Sequence, residues 1–428
     1  MRYVFAVVGS RGDVQPAVAL GTELAARGHD VTMAVPPNLV DFSAGVGLRT
    51  EAYGVDTKEL IGSDLIQHDL KSRNPRRRLK AVAEVTYLGG RDMQQRLIGL
   101  AEGADAIIAT AAGQDRAHAV ARYLDIPHLP VHYCPIRSNR TVSVFDMLGW
   151  SVPPAIGEFS WWVLERLLAL TIGSTERTLL ADIGLSPGRG PLSKQISATG
   201  VPEIQAYDPA IVPGLVDDWG DRRPLVGFLN LTAAQRSKVG DAGVDAELDA
   251  WLDAGEPPLY VGFGSMHIKQ PEALAAAIME AATALDLRVL VAQGWNDFMA
   301  DVDDPRVRVV GAIDHDAVLP RCCAVMHHGG AGSVAAGLRA GAPTIVAWLS
   351  ADQPLWGTIL RRANLGASQR MSKVTGPWLT EALREALSPK TIEAAQSVRD
   401  QLVAPADAAR AAAEVIERSS ARSLRQSV

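Results

Sequence analysis

The sharpest chemical signal in the chain is the run Val325-Met326-His327-His328-Gly329-Gly330-Ala331-Gly332-Ser333. An apolar stretch stops at a cluster of glycines, and an Ala-rich segment of helical period follows. Small residues let backbone N–H groups come close to an anion. A helix that opens there offers unpaired amide donors and about half a positive charge, so a diphosphate at this point is stabilised without a metal ion. Ser333 adds a hydroxyl and His328 an imidazole donor. A glycine-rich turn is equally a way to pack a helix tightly on a strand, and the histidines and serine are what favour anion binding.

Such a turn needs a strand before it and a helix after it, and the chain repeats that unit. Val4 to Val8 is a short β-branched run closed by Gly9, and Val14 to Arg27 then carries apolar residues at helical spacing up to Gly28. Val31 to Val35, Ala106 to Thr110 and Pro127 to His132 repeat the pattern, with Asp115 to Tyr123 as a helix between the last two. A second series has strands at Leu259 to Gly262, Val289 to Ala292, Val307 to Val310, Ala324 to His327 and Thr344 to Ala347, with helices at Glu272 to Leu285 and Ser333 to Ala340. The fold class expected is α/β, two Rossmann-like doubly wound domains. The boundary falls near Pro224, giving domains 1–223 and 224–400, with 401–428 as a closing helix and tail that frays from about Ser419. Two such domains face each other across a cleft at their strand C-terminal ends, where open α/β sheets bind ligands.

Composition narrows the function. With 428 residues, 47% of them hydrophobic, the chain holds a large core, and a net charge of −6 lacks the basic field of a general nucleic-acid binder. Cys134, Cys322 and Cys323 make no disulfide framework and suit a reducing cytoplasm. No stretch reads as a signal peptide, and Ser143 to Gly173 is interrupted by Asp146, Pro153, Pro154, Glu158, Glu165 and Arg166, so at most it touches a membrane surface. Lys71 to Lys80 is basic without an acid, read as a solvated loop or an anionic contact. Trp161 and Trp162 belong either to a buried helix face or to a rim that takes an apolar acceptor.

Four segments in order then carry a resemblance. Gly9-Ser10-Arg11-Gly12-Asp13-Val14-Gln15-Pro16, Gly262-Phe263-Gly264-Ser265-Met266, His327 to Ser333 and Ala351-Asp352-Gln353-Pro354 are similar to the GT-B glycosyltransferases of the UDP-glycosyltransferase type, family 1. Within it the chain resembles the bacterial sterol, glycopeptide-antibiotic and mycobacterial glycopeptidolipid branch. The resemblance implies that Ser265, His328, Gly330, Gly332 and Ser333 hold the diphosphate and that the backbone around Ala312 and Ile313 meets the nucleobase. It assigns Asp352 and Gln353 to the donor sugar hydroxyls, matches Trp295 to a donor-side position that packing explains equally well, and sends the last helix back onto the first domain. The co-substrate implied is a UDP- or dTDP-sugar, with no other cofactor.

Sugar transfer to a hydroxyl needs a base facing the cleft. Asp13, at the end of the first strand, is either that base, its pKa raised by desolvation, or a helix N-cap. Family members acting on plant metabolites and macrolides carry a histidine where this chain has Arg11, which cannot be a base. Ser10, Arg11 and Gly12 line the loop near diphosphate or acceptor. Asp301-Val302-Asp303 has the spacing of a GT-A metal motif but reads as a solvent loop, so no metal is expected. The function expected is metal-independent, inverting transfer to a hydrophobic acceptor, a lipid or lipopeptide before an antibiotic aglycone or a sterol. A nucleotide-sugar epimerase and a catalytically inactive partner protein are the competing readings.

Overall fold

The computed structural model describes all residues except 71, 73, 149, 151, 241–243, 265, 267, 295–297, 427 and 428. The chain forms two six-stranded sheets. The first contains β1 (Arg2–Ala6), β2 (Asp30–Val35), β3 (Arg49–Ala52), β4 (Ala106–Thr110), β5 (His128–His132) and β6 (Ile204–Gln205), in the order β3-β2-β1-β4-β5-β6. The second contains β7 (Leu259–Gly262), β8 (Val289–Ala292), β9 (Val307–Val310), β10 (Ala324–His327), β11 (Thr344–Trp348) and β12 (Gly366–Arg370), in the order β12-β11-β10-β7-β8-β9. Every pairing is parallel, with Tyr3 opposite Ala106 in one sheet and His327 opposite Gly262 in the other.

Both orders are the same doubly wound pattern, and each reverses at one crevice: between β1 and β4, and between β7 and β10. Ligands bind at such switch points because the loops on either side diverge and leave room at the strand ends. The Gly9–Asp13 loop leaves β1, and the His328–Ser333 turn leaves β10. Topology thus brings the two motifs to the two switch points.

Helices cover both faces of each sheet, which is why the strands are apolar throughout rather than alternating. Tyr3, Phe5 and Val7 pack with α1 (Arg11–Ala26), while Val4, Ala6 and Ile107 face Met93, Leu97 and Val120. In the second sheet Leu259, Val261 and Met326 meet Ile278 and Leu383, and Tyr260 and Leu290 meet Leu248 and Val318. A further core crosses between the sheets, joining Val142, Tyr207, Trp219 and Phe228 to Val334, Leu338, Leu355 and Trp356.

The longest helix, α2 (Pro154–Asp182), runs 29 residues. From the second sheet come α3 (Ala331–Ala340) and α4 (Gln353–Arg362), and α5 (Pro405–Gln426) closes the chain. Ala408, Ala412 and Ile416 of α5 share the core of β1 and α1, and Glu417 accepts from Arg27 at 3.0 Å and contacts His29 Nε2 at 2.8 Å.

Two expectations are corrected. The tail does not fray at Ser419: the helix continues, and Ser420 is fully buried with its hydroxyl donating to the Ile416 carbonyl at 3.0 Å. Nor is the basic run wholly a loop. Asn74 caps a helix, Pro75–Tyr87, whose first turns expose Arg76, Arg77, Arg78 and Lys80, while Lys71 and Arg73 lie outside the described residues. Proline at N1 behind an asparagine cap explains the start. Strands β3, β6 and β12, short and partly polar, complete the sheets without an apolar run that marks them in sequence.

Candidate active site

At the end of β1 the chain turns at Gly9, whose φ of +133° is open to glycine and where any Cβ would strike the Asp13 carboxylate. Ser10, not Asp13, is the N-cap of α1. Asp13 is the third helical residue and closes a capping box: the Ser10 N–H donates to Asp13 Oδ2 at 2.8 Å, and the Ser10 hydroxyl lies 3.4 Å from the same oxygen. The Thr57 hydroxyl pins the loop by donating to the Gly9 carbonyl at 2.7 Å. Asp13 is partly exposed to the cleft, yet burial pushes its pKa up to about 6, against the bonds from Ser10 and with help from the negative charge of Asp352. Capping and base chemistry are therefore compatible in one side chain. Arg11 lies over the Phe42 ring, 4.6 Å from its centroid, and donates to Gln15 at 3.2 Å.

Across the cleft, His327 is buried and its Nδ1 accepts the Gly329 N–H at 2.9 Å, which shapes the turn. His328 follows with a buried Nδ1 that has no hydrogen-bond partner among the described residues, and burial pushes its pKa down to about 4, so the ring is neutral at pH 7. Gly330 is the N-cap of α3, and no side chain caps that helix. A Cβ at Gly330 would sit 2.6 Å from His328 Nε2, whereas one at the exposed Gly332 would meet nothing. The N-terminus of α3 is thus an uncapped set of amides under a neutral imidazole, with Ser333 in its first turn.

Asp352 is the N-cap position of α4, but its side chain makes no cap bond to the helix, and its carboxylate accepts from Trp356 Nε1 at 3.1 Å. Burial raises its pKa. Gln353 is buried, and its Oε1 accepts the N–H groups of Leu349 and Ser350 at 2.8 and 3.2 Å. That amide holds the loop after β11 and leaves Nε2, near Met266 Sδ, as its remaining donor. Ala312 is exposed just beyond β9, while the Ile313 side chain is in the core, so only the backbone there is free to meet a ligand. Ser265 and Trp295 lie outside the described residues.

Tyr133 and Cys134, which follow β5, have no place in the site expected from sequence. The Tyr133 hydroxyl is buried without a partner among the described residues and feels the charge of Asp13, and the Cys134 thiol is pushed up by burial and then by Asp352 and Asp13. They belong to the cleft floor. Their only sequence signal is their place at the C-terminal end of a strand.

The tryptophan pair divides. Trp161 is 2% exposed and donates Nε1–H to the Val142 carbonyl at 2.9 Å, which is the buried-face alternative of the two. Trp162 is 47% exposed and stacks on Phe159 with ring centroids 5.7 Å apart. The two rings line a groove of about 420 Å³ with Ser138, Glu158, Glu165 and Lys194. Asp301 and Asp303 are exposed, and Asp304 is held by Arg306 at 2.8 Å.

Residues 3–119 match the glycosyltransferase family 28 N-terminal domain, and residues 276–419 match the C-terminal domain of erythromycin biosynthesis protein CIII-like proteins. An uncharacterized glycosyltransferase of Mycobacterium tuberculosis, Rv1524, is 35% identical over 97% of this chain and 98% of its own length. The chain belongs to the family 1 GT-B glycosyltransferases. The Arabidopsis thaliana sterol 3-beta-glucosyltransferase UGT80A2 is 32% identical to this glycosyltransferase, over 86% of this chain and 58% of its own. Solved structures share the two-domain fold: the kitacinnamycin glycotransferase superposes with a TM-score of 0.71 at 20% identity, covering 98% of both chains. VinC, solved in complex with dTDP, gives 0.64 at 17% identity, over 99% of this chain and 100% of its own.

Proposed function

We propose that this glycosyltransferase moves a hexose or deoxyhexose from a UDP- or dTDP-sugar to a hydroxyl of a hydrophobic acceptor, with inversion and without a metal ion. One observation carries the reading: the N-terminus of α3, which no side chain among the described residues caps, lies beside a neutral His328. A diphosphate supplies the acceptor those donors lack.

The chemistry follows from the two switch points. Asp13 takes the proton of the acceptor hydroxyl, and the freed oxygen pair bonds to the anomeric carbon. The bond from that carbon to the diphosphate oxygen breaks on the opposite face, its pair leaving with the diphosphate. The amides of Ala331, Gly332 and Ser333, the Ser333 hydroxyl and His328 hold the developing charge. Asp352 accepts from sugar hydroxyls, Gln353 fixes the loop and offers the second N–H of an Nε2 whose first donates to Met266 Sδ, and the backbone at Ala312 and Ile313 meets the base. Ser265 and Trp295 complete the donor side.

For the acceptor, the groove at Phe159 and Trp162 supports a large apolar partner, a lipid or lipopeptide. Its wall residue Ser138 is four residues from Cys134 on the cleft floor, within about 14 Å of extended chain. The enzyme works in the cytoplasm and meets a membrane surface when its acceptor is a lipid. No helix among the described residues is long and apolar enough to cross a membrane. The sterol glucosyltransferase relative favours a sterol as the second acceptor class.

The test is nucleotide binding by calorimetry with UDP, dTDP, GDP and NAD, each with and without EDTA. UDP or dTDP binds equally with chelator present, and His328→Ala weakens it by tenfold or more. Binding by NAD alone, or only with a divalent ion, overturns the assignment. An acceptor panel of lipopeptide, sterol and small polar alcohol then ranks the acceptors, and transfer to the alcohol alone overturns the apolar reading.

A further inference from the structure

A chain of polar contacts starts at Arg11 beside the cleft and crosses from α1 to the second sheet. Arg11 Nε donates to Gln15 Oε1 at 3.2 Å, Gln15 Nε2 donates to Asn230 Oδ1 at 2.9 Å, and Asn230 Nδ2 donates to Asp316 Oδ2 at 3.3 Å. Asp316 also receives Arg339 through Nε and Nη2 at 3.0 and 2.9 Å, and Arg236 at 2.8 Å. Charge fixes the direction of every link. A guanidinium only donates, so Gln15 must accept from Arg11 and donate onward. A carboxylate only accepts, so Asn230 must present its NH₂ to Asp316 and its carbonyl to Gln15. The two amides can flip only by breaking both links.

The ends of this chain matter. Gln15 stands one turn beyond Arg11 and two residues beyond Asp13. Asp316 follows the Ala312–Ile313 segment, and Arg339 is in the last turn of α3, the helix whose opposite end is assigned to the diphosphate. Asn230 therefore touches the base-bearing helix with one atom and the donor side with another.

We propose that Asn230 is a positioning residue that holds Asp13 and Arg11 in register with the donor site, so that nucleotide binding orders the acceptor-side loop. This inference rests on the donor reading above. The segment around Asn230 stays attached without it: Gln235 donates to Thr22 at 3.0 Å, and Arg236 donates to the Leu231 carbonyl at 2.7 Å and pairs with Asp314 at 3.2 Å. Substitution at 230 thus removes the link rather than the fold.

The experiment is hydrogen exchange on the full chain with and without UDP or dTDP, read at residues 10–14 and 330–334, together with steady-state kinetics. In the wild type, nucleotide slows exchange in both segments. Asn230→Asp sets a carboxylate against Asp316, and Gln15→Ala breaks the chain one link away. Both variants keep protection at 330–334 and lose it at 10–14, and kcat falls about tenfold while nucleotide Kd changes less than twofold. Retained protection at 10–14 in both variants, or equal losses in Kd and kcat, overturns the proposal. Absence of protection at 330–334 in the wild type overturns the donor reading instead, and the inference with it.

Discussion

Asp13→Asn separates the two jobs of the carboxylate that faces the cleft. Burial and the charge of Asp352 raise its pKa from 3.8 to about 6. At 1.36 kcal/mol per unit, roughly two units correspond to about 3 kcal/mol, an upper bound because one side of the carboxyl still faces water. The folded protein favours the protonated acid, so it binds more protons than the unfolded chain between about pH 4 and pH 6. Stability present below the unfolded pKa is lost as pH rises through that window. Asparagine keeps an acceptor for the Ser10 N–H but never ionises. Relative to wild type, the variant is therefore near-equal at pH 4 and more stable by about 2 kcal/mol at pH 7.5, which for a chain of this length is a melting shift of about 2–3 °C. Turnover falls by about 10²–10⁴. Paired thermal and urea unfolding at both pH values reads the stability, and product formation reads the rate. A difference that does not change with pH, or a variant about 1 kcal/mol less stable at pH 7.5 as a lost cap would give, refutes the reasoning and reduces Asp13 to a capping residue.

The same pKa sets the rate profile of the wild type: kcat/KM falls about tenfold per pH unit below about 6 and is level above it, and a profile flat from pH 4.5 to 8 assigns the proton to another group. Gly330→Ala places a methyl 2.6 Å from His328 Nε2, so calorimetry finds nucleotide affinity lowered about tenfold, with a stability loss of about 1–3 kcal/mol from the displaced ring. Trp161→Phe leaves the Val142 carbonyl unpaired and destabilises by about 1–2 kcal/mol without moving acceptor KM. Trp162→Ser does the reverse, raising acceptor KM at constant melting temperature. A shared effect of the two on KM would place Trp161 in the acceptor site.

The strands that carry the site were legible because parallel sheets covered on both faces write themselves as apolar runs. Ala106–Thr110, Leu259–Gly262, Val289–Ala292, Val307–Val310 and Ala324–His327 form where the sequence places them. The polar edge strand Gly366–Arg370 has no such run and needs β11 beside it to exist. The glycine turn of α3 was legible because its chemistry is local, a backbone conformation and a neighbouring ring. The split of Trp161 from Trp162 was not. Adjacent residues on a helix point about 100° apart, and only the position of Val142 decides which one faces inward. Asn230 was hidden for a related reason: its segment reads as an ordinary polar connection, and its partners lie on two other elements far along the chain.

Two carboxylates, Asp13 and Asp352, are left facing one cleft, each raised by burial and the second adding to the first. Among the described residues neither has a cation as a partner. Asp13 is met by the amide and hydroxyl of Ser10, Asp352 by an indole N–H. In a fold with many guanidinium–carboxylate pairs elsewhere, including a buried one between Arg137 and Glu203, withholding a cation at this point costs stability. On the proposed reading, what it provides is a base with a pKa near working pH on one wall and, beside the Trp356 indole, a carboxylate that accepts from sugar hydroxyls on the other. An arginine beside Asp13 would hold its pKa down and remove the base, and one beside Asp352 would compete with the sugar. The missing counter-charge is therefore where function overrides stability in this molecule, and it is why Asp13→Asn gains stability as it loses turnover.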